Sequence, residues 1–194
     1  SVAGETQFGY DWQQGGSMYG HGSALMAMSE ALGMNKLNGE FDTDLFFHVK
    51  EGSRFTVNAQ HPSGSWGYTP GSPGDTTITG WQLLSLVGAH KAGIQMPTGL
   101  YGRVREFLLS VRDESTYGFG YRSAEPRPTT TAIALTLMMY LGHPPGNTNF
   151  DAAVDRMARA GPSASNVYHN YYATLALHHF RHRRWDQWNA ALQN

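Results

Sequence analysis

The chain has 194 residues with 14 basic and 15 acidic side chains, and its 15% charged and 12% aromatic content describes a packed, loop-rich globular protein. A net charge near zero excludes the broad basic field that nucleic-acid binding requires. The absence of cysteine excludes disulfides, thiolate zinc sites and thiol catalysis together, and it fits any compartment without selecting one.

In chain order, one block occurs three times. An aromatic-flanked Gly-Tyr leads, eleven to thirteen residues on, to a small residue that opens an apolar run. Phe8-Gly9-Tyr10 leads to Ser23-Ala24-Leu25-Met26, Trp66-Gly67-Tyr68 to Gly80-Trp81-Gln82-Leu83, and Phe119-Gly120-Tyr121 to Ala132-Ile133-Ala134-Leu135. The tyrosines lie 58 and 53 residues apart, enough chain for one Gly-rich loop and two helices, which predicts an all-α helical repeat array. Stacked units bury faces that a single unit cannot, and they leave a concave surface for binding. Residues 1–194 read as one such domain, and a start at Ser1 without Met, inside a repeat loop, is expected of a chain processed or excised from something longer.

Apolar inner helices are predicted at roughly 20–33, 76–92, 129–141 and 167–182, alternating with more charged outer helices at roughly 41–60, 99–112, 149–160 and 184–193. Thr76, Thr77 and Thr79, and then Thr129, Thr130 and Thr131, are expected to accept from free first-turn N–H groups. Gly33, Gly93 and Gly142 read as stops, with Pro97 and Pro144-Pro145 beyond two of them. Leu100, Val104, Phe107, Leu108 and Val111 fall on one face of the second outer helix. Strand signals are weak, and the hint at Thr56-Val57-Asn58 is discounted. No run approaches the roughly 18 apolar residues that span a membrane, and no signal peptide is read. The loops 62–74 and 123–128 are long and rich in Gly, Pro and Ser, as functional loops often are.

Residues 60–66, Gln-His-Pro-Ser-Gly-Ser-Trp, carry the Gln-x-x-x-Gly-x-Trp pattern. With Gly67-Tyr68, Asp75 to Trp81 and Gly118 to Tyr121, this resembles the repeat (the QW motif) of squalene and hopene cyclases and of protein prenyltransferase β subunits. The resemblance implies an α/α toroid, a partial barrel of about four hairpins around a cavity. The residues themselves predict a staple: Gln60 bonding free backbone groups, Trp66 filling the gap between repeats, and Gly64 allowing close passage. The cyclases' Asp-x-Asp-Asp acid is represented here only by Asp75. The prenyltransferases' zinc pair is represented by Asp75-Thr76-Thr77, with Thr77 in the Cys place, and their His segment by Tyr168-His169. No metal and no cofactor are expected.

Asp75, His21 and His169 are the candidate acid/base residues, since each lies near the start of an inner helix; the plainer alternative is that Asp75 caps its helix and each His bonds a loop carbonyl. Tyr68, Trp81, Tyr121 and Tyr172 are the candidate ligand-binding aromatics, among others that include Tyr10, Trp12, Tyr19 and Tyr171. Such a lining suits an isoprenoid or cationic group, a sugar or a peptide, and its alternative role is packing between repeats. His178 to Arg184 form a basic cluster that suits a phosphate or simply a helix C-terminus. Asp151 and Asp155 are spaced for an outer helix, and Met26, Met28, Met138 and Met139 suit core filling. The expected partner is an apolar or isoprenoid small molecule, or a protein. Self-association or a further domain would complete the ring.

Overall fold

The computed structural model describes residues 4–6, 9–11, 17–142 and 148–193, the first two segments by backbone alone. It is all-α apart from a two-stranded antiparallel ribbon, β1 (Gly4–Thr6) and β2 (Gly9–Asp11), in which Glu5 pairs with Tyr10. The described residues form eight helices: α1 (Met18–Leu37), α2 (Thr43–Asn58), α3 (Thr76–Lys91), α4 (Leu100–Ser110), α5 (Pro128–Tyr140), α6 (Thr148–Ala160), α7 (Val167–His179) and α8 (Trp185–Leu192). Every helix expected from the sequence is present, and Thr56-Val57-Asn58 is the last turn of α2. Phe8, Trp12 and Pro144-Pro145, and the side chain of Tyr10, lie outside the described residues.

The capping side chains differ from the threonines expected, and Asp75 takes the capping role given above as its plainer alternative. The caps are Ser17, Asp42, Asp75 and Asn166, whose side chains accept from first-turn amides of α1, α2, α3 and α7. α5 opens on Arg127 without a side-chain cap and has Pro128 in its first turn, where a missing N–H costs nothing. Threonine hydroxyls therefore do not cap these helices; Thr79, Thr130 and Thr131 bond the preceding loop instead. Gly33 is not a stop either. α1 runs through it to Leu37, and Gly39 takes the left-handed conformation at φ 77°, as do Gly93 and Gly142 after later helices.

The chain divides into two compact units, Ser1–Phe107 and Leu108–Asn194. In the first, α1 packs along α3, and α2 lies against both. In the second, α5 packs along α7, α6 lies against both, and α8 against α7. α3 and α5 bury residues around most of their circumference, as expected of helices with neighbours on more than one side, whereas α1 and α7 each bury one stripe, Met18, His21, Gly22, Leu25, Ser29 and Leu32 in the first and His169, Tyr172, Ala173, Ala176 and Leu177 in the second. The even-numbered helices each carry a single apolar stripe, and in α4 the stripe of Leu100, Val104, Phe107 and Leu108, continued by Val111, is buried.

One loop design occurs in both units. In the first, the Trp66 amide donates to Thr79 Oγ1 at 3.1 Å and the Trp66 carbonyl accepts from the Asp75 amide at 3.2 Å. In the second, the Phe119 amide donates to Thr131 Oγ1 at 2.9 Å and the Phe119 carbonyl accepts from the Arg127 amide at 3.2 Å. A threonine on the first turn of α3 and of α5 thus holds the buried aromatic that precedes the helix. Trp66 and Phe119 are both fully buried. The Trp66 indole N–H donates to the Thr56 carbonyl at 2.7 Å, satisfying one of the free carbonyls at the end of α2. Gln60 Nε2 donates to the Gly64 carbonyl at 3.0 Å, and Gln60 Oε1 accepts from Arg103 of α4 at 2.8 and 2.5 Å. Gly64, at φ 90°, presses against the Arg103 carbonyl so closely that no side chain fits there. Tyr117, at φ 55°, holds the corresponding turn in the second unit.

Candidate functional site

Loop 62–74 delivers Asp75 to the start of α3. Asp75 is fully buried, and its Oδ1 accepts from the amides of Thr77 and Ile78, each at 2.9 Å, and from the Thr77 hydroxyl at 2.6 Å. The Tyr19 hydroxyl lies 2.6 Å from Thr77 Oγ1. The Thr77 proton is directed to Asp75, so Tyr19 donates to Thr77, and a chain runs from Tyr19 through Thr77 to Asp75. Burial raises the Tyr19 pKa above its ordinary value; the Thr77 bond opposes that shift and the nearby Asp75 charge adds to it. Tyr19 is therefore a persistent donor. The half-exposed ring of Tyr68 meets Tyr19 edge-on at 5.7 Å, and the Tyr68 carbonyl accepts from the Met18 amide at 3.0 Å. Loop and helix starts are thereby joined into one aromatic rim, at the N-terminal ends of α1 and α3.

Two other candidates of the first unit, His21 and Trp81, sit apart from this hydrogen-bonded chain. His21, on the first turn of α1, is fully buried against α2, with Nε2 at 2.8 Å from Thr56 Oγ1 and 3.2 Å from the Gly52 carbonyl, and with its ring 4.6 Å from that of Phe55. Burial lowers its pKa from 6.5 to about 4, against which the Gly52 carbonyl is a smaller opposing influence. A neutral imidazole bonded to α2 is the position of a satisfied core histidine. Trp81 is half-buried on α3, with its Cβ beside Gly22 of α1. Gln82 reaches over Gly22 to donate to the Met18 carbonyl at 2.8 Å, which holds α1 and α3 close.

The second unit contains His169, Tyr121 and Tyr172. Tyr172 is fully buried, its ring edge-on to Tyr168 at 5.2 Å and to Tyr171 at 5.1 Å, which is a core position. Tyr121 is half-buried, with the Arg122 guanidinium 5.4 Å above its ring. His169 is 6% exposed on the first turn of α7 and faces a cavity of about 450 Å³. Burial lowers its pKa, and the Pro128 carbonyl offsets this in part. The basic cluster at the end of α7 is mostly exposed, with some of its members tied to neighbouring side chains: Arg183 donates to Asp155 Oδ1 at 3.0 Å, His182 lies 3.5 Å from the same oxygen, and His179 Nε2 is 2.8 Å from the Tyr140 hydroxyl. Arg183 holds the Asp155 carboxyl below the usual carboxylate range. Met138 is buried, while Met26, Met28 and Met139 are half-buried.

Sequence reasoning placed Tyr68 and Asp75 in one loop region but missed the Tyr19–Thr77 link that joins α1 to α3. It also missed Arg127, Arg156 and Met157 around the His169 cavity; the apolar face of α6 was the available signal. Among the described residues, no three His, Cys, Asp or Glu side chains are grouped to hold a metal ion, and no helix is long and apolar enough to cross a membrane. Compared with known protein families, with curated proteins and with solved structures, the chain finds no match.

Proposed function

We propose that the chain is a helical-hairpin module of the α/α-toroid kind, similar to the squalene cyclase and prenyltransferase repeat, that binds an apolar or isoprenoid small molecule or a protein partner in its concave face without turning it over. The observation behind this reading is the commitment of Asp75. A carboxylic acid that protonates an alkene needs a proton directed at substrate, whereas Asp75 Oδ1 takes three donors from the first turn of its own helix. The aromatic rim of Tyr19 and Tyr68 supplies contact area in the same place. Exposed Met34, Leu37 and Phe41 add apolar surface that favours self-association or a further domain.

An isoprenoid-processing enzyme is the second reading, and the chain from Tyr19 through Thr77 to Asp75 favours it as a proton path. Incubation with squalene and with prenyl diphosphates, followed by product analysis and equilibrium binding, separates the two. Saturable binding without product supports the module. Product formation lost in Asp75→Asn, a variant that retains an N-cap, establishes the enzyme instead.

A further inference from the structure

The cavity beside His169 is a built site that the proposed module function does not use. It lies wholly within the second unit. One wall is the α6 face of Ala153, Arg156, Met157 and Ala160; the other is the loop and first turn around Gly118, Pro126 and Thr131. Its surface is mostly apolar, and at about 450 Å³ it falls in the range of small-molecule pockets. Two guanidinium groups, Arg127 and Arg156, stand on exposed residues of its lining. Arg156 is oriented by a hydrogen bond to the Thr116 carbonyl. Among the described residues, no acidic side chain lines the cavity. At the buried end is His169, whose Nδ1 is shielded from solvent and has no hydrogen-bond partner among the described residues.

A buried polar atom without a partner is costly, and a cavity beside it is where a ligand atom can supply one. We infer that this pocket binds a small organic anion: a carboxylate held at the rim by Arg127 and Arg156, a compact apolar body against Met157 and Ala153, and an O–H or N–H group donating to His169 Nδ1. Guanidinium groups match carboxylate geometry with paired donors, and the missing acidic residues leave their charge for a ligand. Burial keeps His169 neutral, so that one ring nitrogen remains an acceptor. The inference is independent of the toroid reading, because every lining residue belongs to one unit.

The probes are 3-(4-hydroxyphenyl)propionate, 3-phenylpropionate, the amide of the first acid, and inorganic phosphate, each titrated into ¹⁵N-labelled full-length protein. Saturable shifts should centre on Ala153, Met157, Thr131 and His169. The hydroxylated acid should bind at least about tenfold tighter than its amide, since a charge-assisted arginine pair is replaced by a neutral contact. The His169 side-chain ¹⁵Nδ1 resonance should move with the hydroxylated acid and not with 3-phenylpropionate. Arg127→Gln/Arg156→Gln, both on exposed residues, should abolish the acid-over-amide preference, and Ala160→Phe should block all binding. Equal affinity for acid and amide, phosphate binding as tight as the acid, shifts centred elsewhere, or no saturable binding would each overturn the assignment.

Discussion

Trp66 is the residue on which the first unit's loop depends. Its indole is fully buried, its N–H caps the end of α2, and its amide is held by Thr79. Trp66→Ala should destabilise by about 3–5 kcal/mol, and Trp66→Phe by less because volume is largely kept, as read from denaturant unfolding. An unchanged midpoint for the alanine variant would remove the staple role. His21 gives a pH signature at the same scale. Its folded pKa of about 4 lies below the ordinary 6.5, so the unfolded chain binds the extra proton. Its contribution is therefore present above pH 6.5 and is lost as pH falls towards 4, by on the order of 3 kcal/mol in full. Burial lowers the pKa of His169 and His182 as well, so they add slope of the same sign. Stability measured from pH 7.5 to 4 should fall less steeply in His21→Gln, and an identical slope would contradict the burial argument.

At the scale of elements, α3 and α5 each begin in a loop that they also hold. Asp75→Ala should cost about 1–2 kcal/mol through lost capping, with Asp75→Asn milder, by thermal or chemical unfolding. Thr79→Val and Thr131→Val should each cost about 1–2 kcal/mol, because the Trp66 and Phe119 amides would then be buried without acceptors. Equal stability in both valine variants would mean that the shared loop bond is incidental. The correspondence of Thr79 and Thr131 follows the Gly-Tyr period of the sequence. The capping side chains were harder to read. Asp75 and three adjacent threonines compete for the same first turn, and only the approach of Trp66 decides that Thr79 turns back to the loop.

For the whole molecule, the division into two compact units predicts that each loses stability largely by itself. Hydrogen exchange of Trp66→Ala should show the largest loss of protection in α2 and α3, with less change in α5 and α7. Phe119→Ala should show the reverse. Uniform loss in both variants would indicate a single cooperative unit instead.

The sequence by itself determined the eight helices. They follow from local periodicity, from glycines able to take positive φ, and from an aromatic–Gly spacing that repeats along the chain. It also marked Tyr68 and Asp75 as neighbours of a helix start, because they are close in the chain. Tertiary structure alone decided that Tyr19 reaches Thr77 across 58 residues, that His21 and Tyr172 are core residues, and that Arg127, Arg156 and His169 surround one cavity. Those outcomes depend on which faces of separate helices meet, and packing settles that through contacts between residues far apart in the chain.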